Sequence, residues 1–256
     1  MSLPRRWLLA ALGTASVARG TAAPLAHWFL LAASAGLVNT GGFLACSRFV
    51  SHVTGFASME GIDLAERNWL GALSMASVPI YFLLGCMFSA WVVDRRIKQG
   101  RAAFYALPLI LIALLLGLVA ILGEQGIFGP FGEYTLTRHH WLLAALSLAC
   151  GIQNAVVTSA TGSIMRSTHL TGTTTDLGTG LVRCLLMPRD SPERQLERRF
   201  NWMRFGQIAS FIVGACAGAY VFPHWQYLGF TIPSGIALLC ARSEEHTSEL
   251  QSHLNL

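Results

Sequence analysis

Six stretches of this chain are apolar over lengths that only a few structures can accommodate: residues 25–46, 69–93, 103–122, 141–161, 204–222 and 224–241. A helix rises ~1.5 Å per residue, so about 20 apolar residues reach across the roughly 30 Å hydrocarbon core of a bilayer. The spacing predicts six transmembrane helices and an all-α, polytopic membrane protein. Charge supports this. Asp, Glu, Lys and Arg make up 12% of the chain, about half the share of an average soluble protein. A basic balance in such a chain marks the cytoplasmic side of a membrane and gives no sign of nucleic acid as a partner.

The Lys and Arg residues divide sharply between alternate connections. The N-terminal segment, the 2–3 loop and the 4–5 connection carry 14, including Arg5, Arg95, Arg96, Lys98, Arg166, Arg194 and Arg198. The other connections carry 3: Arg48, Arg67 and Arg138. The bias predicts a multi-pass protein of the bacterial inner membrane with a cytoplasmic N-terminus. Arg5-Arg6 followed by apolar Trp7–Ala18 also has the outline of a signal peptide. Residues 1–24 are read instead as a cytoplasmic or interfacial segment. In "SPERQLERRF", Ser191 can cap, Pro192 suits the first helical position and Glu193 the positive end of the dipole. One helix is expected from about Pro192 through the fifth span, its Arg cluster meeting anionic lipid or a partner. Gly214-x-x-x-Gly218 further along admits a close neighbour, within the chain or in a homo-oligomer.

The same short phrase occurs twice behind an apolar helix. Gly36-Leu-Val-Asn39 is followed by His52-Val-Thr54-Gly55, and Gly151-Ile-Gln153-Asn154 by His169-Leu-Thr171-Gly172. Three spans surround each copy, and an odd number reverses orientation. The pattern therefore predicts two inverted three-helix repeats, residues 25–122 and 141–241, joined by a periplasmic loop at 123–140. Inversion places Asn39 and Asn154 on either side of the midplane but starts the two His-x-Thr-Gly elements on opposite faces. To share a site they must turn back inward as broken or re-entrant segments, tolerated only against protein or a wet cavity.

The residue types suit such a site. His changes charge near neutral pH, Thr can satisfy a freed backbone group and Gly permits a break. The candidate substrate-binding residues are Asn39, His52, Thr54, Gly55, Gln153, Asn154, His169, Thr171, Gly172 and Asp176. Bland roles stand beside these. The two histidines also fit membrane interfaces, and Asn39, Gln153 and Asn154 also fit interhelical hydrogen bonds. Asp176 also fits a helix N-terminal acid or a pair with Arg183. Glu60 and Asp63 read as solvated periplasmic groups. The Gly-rich "TGTTTDLGTG" lacks the Lys and spacing of a phosphate loop, so no nucleotide cofactor is expected. The six cysteines have no Cys-x-x-Cys spacing and read as small buried hydrophobes.

The blocks "SAGLVNTGGFLACSRFVSHVTG" and "GIQNAVVTSATGSIMRSTHLTGTTTDLG" together resemble the YoaK family of bacterial integral membrane proteins, a group of unknown function. The resemblance covers about 25–241. It implies an inner-membrane protein of about six helices and no established activity. It also implies an Asn after the first Thr-Gly, where this chain has Phe56. Residues 242–256 begin abruptly inside an apolar run. "RSEEHTSELQSH" is similar to a translated sequencing adapter, so the last span is expected to be cut short near Ala241.

The functional expectation is a non-enzymatic transporter of a small molecule or ion, surrounded by membrane lipids and working by alternating access. A scaffold, a sensor or a lipid-interacting protein is the alternative. An intramembrane enzyme fits less well, because no nucleophile or metal cluster of recognisable spacing occurs.

Overall fold

The computed structural model of the chain describes residues 22–101, 103–133 and 136–254. The segment read as residues 1–24 therefore lies almost wholly outside the described residues. The helices are α1 (Ala22–Cys46), α2 (Val53–Ala65), α3 (Trp69–Lys98), α4 (Ala106–Glu124), α5 (Leu136–Ala160), α6 (Leu170–Leu186), α7 (Pro192–Trp225) and α8 (Thr231–Leu254). A 3-10 turn, Gln226–Phe230, joins the last two. No strand occurs among the described residues.

Among the described residues five stretches are long and apolar enough to cross a membrane: Leu25–Cys46, Trp69–Lys98, Ala106–Glu124, Arg138–Ala160 and Pro192–Glu244. Their outward faces are apolar too, with Leu70, Leu73, Leu83 and Trp91 of α3 and Leu114 of α4 all exposed. Such a surface is stable only against lipid. The chain is a multi-pass membrane protein.

Local chemistry explains the helix ends. Ser191 Oγ accepts the Arg194 N–H at 3.2 Å, Pro192 opens α7 and Glu193 lies in its first turn. Several boundaries differ from the sequence expectation: α5 begins at Leu136, before the expected 141, and α8 runs on to Leu254, past the end expected near Ala241. α3 continues past 93 to Lys98, because Arg95 and Arg96 lay their guanidinium groups over Trp91 and Phe104, each 5.4 Å from the ring centre. The break expected just after residue 222 falls later, at Gln226 (φ 45) and the 3-10 turn. Pro223 is absorbed into the end of α7, and the buried Tyr227 and Phe230 hold the turn.

Each long helix of the chain's first half packs along a long helix of its second. α1 lies along α7, α3 along α5, and α4 along α8, while the short helices α2 and α6 rest on α3 and α7. Glycines allow the closest of these approaches. A Cβ on Gly36 of α1 would run into the Phe211 carbonyl of α7, and one on Gly151 of α5 into the Phe82 carbonyl of α3. Gly214 meets Ala33 in the same way and Gly218 packs on Leu37, so this stripe serves packing within the chain. Gln153 is buried and donates to the Leu31 carbonyl at 2.6 Å, tying α5 to α1.

Candidate functional site

After each of α1 and α5 the chain folds back alongside the helix it has just left. Beyond Cys46, Ser47 takes a left-handed conformation (φ 53). Val50 is buried, and its carbonyl accepts a hydrogen bond from Ser147 of α5 at 2.8 Å. Ser51 Oγ then donates to Asn39 Oδ1 at 2.9 Å. Asn39 stands two helical turns before the end of α1, so the chain has returned by about 10 Å. Beyond Ala160, Ser163 is left-handed (φ 66). Gln207 of α7 takes the Arg166 N–H at 3.1 Å and donates to the Arg166 carbonyl. Thr168 donates from both N–H and Oγ1 to Asn154 Oδ1, each at 3.3 Å. In both places an asparagine inside a long helix holds the hydroxyl residue next to the motif histidine.

His52 and His169 immediately precede α2 and α6, with nearly the same backbone angles: φ −101, ψ 73 and φ −97, ψ 66. Neither side chain caps its helix. Each ring instead folds over the glycine three residues on. His52 Nδ1 lies 2.7 Å from where a Cβ on Gly55 would stand, and the His169 ring crowds Gly172 in the same way. The glycine of His-x-Thr-Gly is therefore a seat for the imidazole.

Both motifs line one cavity of about 1040 Å³. Asn39, His52, Thr54, Asn154, His169 and Thr171 all contribute to its wall, as do Ser51 and Thr168. Phe82 and Phe211 line it from α3 and α7. The other sequence candidates stand elsewhere. Gly55 and Gly172 seat the rings, and Gln153 is committed to Leu31. Asp176 is exposed on α6 and does not line the cavity. It makes no ion pair with Arg183; the ion pair among the described residues is Arg204–Glu197 at 2.8 Å. Asp63 accepts from Asn68 Nδ2 at 2.8 Å at the α2–α3 junction. Phe56 is buried in the core. Among the cysteines, Cys86 lines the cavity and Cys216 is exposed, unlike the buried Cys46, Cys150, Cys184 and Cys240.

The carboxylate in the cavity wall is Asp94, which accepts from Ser159 Oγ at 2.8 Å. It stands directly before Arg95-Arg96, where a sequence reading ends the span and assigns the acid to a loop. Nothing in the local sequence separates it from its neighbours. Ser51 and Thr168 were more accessible, since "SHVTG" and "THLTG" carry the repeat one residue further back. Among the described residues no group of three metal-ligating side chains comes together. The wall offers amides, hydroxyls, two imidazoles and the charges of Asp94 and Arg166. Such a surface suits reversible binding.

The asparagine anchors lead to one expected result. Asn39→Ala and Asn154→Ala should each cost about 0.6–2 kcal/mol, the usual worth of a polar contact between membrane segments. Asn154→Ala should cost more, because Asn154 Oδ1 accepts two bonds from Thr168 and Asn39 Oδ1 one from Ser51. Thermal unfolding in detergent measures both, and two unchanged midpoints would remove the anchoring role.

Residues 27–242 match the model of a family described as "Protein of unknown function (DUF1275)". The chain belongs to this family. Every residue in the cavity wall falls inside the matched stretch, so the cavity is part of the DUF1275 domain. No curated protein and no solved structure matches the chain.

Proposed function

We propose that this DUF1275 protein transports a small molecule or ion by alternating access between two inverted three-span halves. Reading Pro192–Glu244 as two spans, turned at Gln226–Phe230, makes six. The observation that carries the proposal is the shared cavity, walled by both copies of the Asn and His-x-Thr-Gly elements. Helix pairing supports the halves. Exchanging α1 with α5, α2 with α6, α3 with α7 and α4 with α8 carries α1–α7 onto α3–α5, α2–α3 onto α6–α7 and α4–α5 onto α1–α8. The slight α3–α4 contact has no counterpart, because the 3-10 turn comes between α7 and α8. The same exchange carries the Gly36–Phe211 contact onto Gly151–Phe82, and the Gly214–Ala33 contact onto Gly85–Leu148. Inverted repeats around a polar site with broken segments are the architecture of many secondary transporters, in which one half rocks against the other. The narrower resemblance to the YoaK family, the bacterial inner membrane and the cytoplasmic N-terminus belong to the same reading.

Access to the cavity tests it. Ala155 lines the cavity beside Asn154. In a background with Cys86 and Cys216 changed to Ser, Ala155→Cys should react with a membrane-impermeant thiol reagent in right-side-out vesicles and also in inverted ones. A transporter opens the same position to each side in turn. Labelling from one side alone, or from neither, supports a scaffold or sensor and overturns alternating access.

A further inference from the structure

The two ends of the cavity are not alike. The register that pairs Phe82 with Phe211 and Gly85 with Gly214 carries Asp94 onto Pro223. The register that pairs His52 with His169 carries Arg166 onto Phe49. The carboxylate and guanidinium of the cavity wall thus each stand in one copy where the other copy has a proline and a phenylalanine, and of those two only Phe49 lines the cavity. Phe49 is stacked on Phe43 at 4.4 Å and set edge-on to His52 at 6.2 Å, so its end is aromatic.

Neither charge at the polar end is matched. Asp94 receives a hydrogen bond from neutral Ser159 and has no cation within 4 Å among the described residues. Its chain neighbours Arg95 and Arg96 are turned onto Trp91 and Phe104. The Arg166 main chain is gripped on both sides by Gln207, which fixes where the residue stands. Its guanidinium has no partner among the described residues, and it does not reach Asp94. Asp94 is half-buried and Arg166 exposed, and charges that line a cavity in a membrane protein commonly mark a substrate pathway. A lone cation would satisfy Asp94 and leave Arg166, and a lone anion the reverse. A molecule carrying both charges satisfies the two at once.

We propose that Asp94 and Arg166 form a two-point subsite for the head of a small zwitterion of amino-acid type. Asp94 takes the ammonium group and Arg166 the carboxylate. An apolar body then points toward Phe82 and Phe49. The cavity volume lies at the upper end of the range for small-molecule sites and leaves room for such a body. The inference rests on the transporter reading above and names its substrate class.

Three probes with one aromatic body separate the charges: phenylalanine, 3-phenylpropanoate and 2-phenylethylamine. Each is added at millimolar concentration to the purified full chain in detergent, and binding is read as a rise in unfolding midpoint. Phenylalanine should raise the midpoint and the two singly charged analogues should not. Asp94→Asn and Arg166→Gln, which remove charge with little change of shape, should each weaken the phenylalanine response at least tenfold. Size-exclusion elution like the parent's shows that both variants still fold. An equal response to the carboxylate alone or the amine alone overturns the two-point subsite. So does a phenylalanine response indifferent to both substitutions, or no phenylalanine response at all. If Ala155→Cys is labelled from both sides while phenylalanine has no effect, the zwitterion falls and the transporter reading stands.

Discussion

Gly36→Ala and Gly151→Ala should each destabilise the protein by about 1–3 kcal/mol, the usual cost of forcing extra atoms into a packed contact. The sign is the informative part. Exchanging glycine for alanine inside a helix ordinarily stabilises it by up to ~1 kcal/mol. At these two positions the first added atom meets a backbone carbonyl, of Phe211 and Phe82 respectively. A carbonyl held in its own helix cannot swing aside as a side chain can, so the helices must part. Gly61 of α2 supplies the control, because a Cβ there meets nothing within 4 Å. Gly61→Ala should leave the midpoint unchanged or raise it. Thermal unfolding of the three variants in one detergent measures all of this. If Gly36→Ala and Gly151→Ala behave like Gly61→Ala, the helices do not approach as closely as described. Costs of similar size at both sites are what two equivalent halves require.

The second large effect is close to all-or-none. With Cys86 and Cys216 changed to Ser, Glu133→Cys should be labelled in intact cells by an impermeant thiol reagent, while Lys98→Cys and Arg198→Cys stay protected until the membrane is opened. The reason is the distribution of Lys and Arg, 14 on one set of connections against 3 on the other, which translocation reads as orientation. Lys98 and Arg198 are exposed in the fold, so burial in protein would not explain their protection. Labelling of Lys98→Cys and Arg198→Cys with Glu133→Cys protected would reverse the topology.

Much of this protein is legible in one dimension. Lipid demands length and apolarity from every span, and those are properties of consecutive residues. Helix caps are equally local: Ser191, Pro192 and Glu193 are read where they stand. The echo of Gly-x-x-Asn and His-x-Thr-Gly marks six residues that line the cavity, because each copy makes its contacts with chain close by, 12 to 14 residues on for the asparagine and three for the histidine. The asparagine anchors the returning chain, and the glycine seats the imidazole.

Tertiary structure decided the rest, and in each case the reason is distance along the chain. Asp94 and Asp176 are equivalent to a sequence reader, each a lone acid near arginines. Only the meeting of α3 with α5, which brings Ser159 to Asp94, puts one in the cavity wall and leaves the other exposed. Pro223 looks like a helix end. Only the burial of Tyr227 and Phe230 moves the turn past it. Gln153 stands beside Asn154 and shares its chemistry, yet one faces a backbone carbonyl of α1 and the other the cavity. Adjacent helix residues point about 100° apart. Which of the two meets a neighbour depends on how α1 and α5 are set against each other, and no local sequence records that angle.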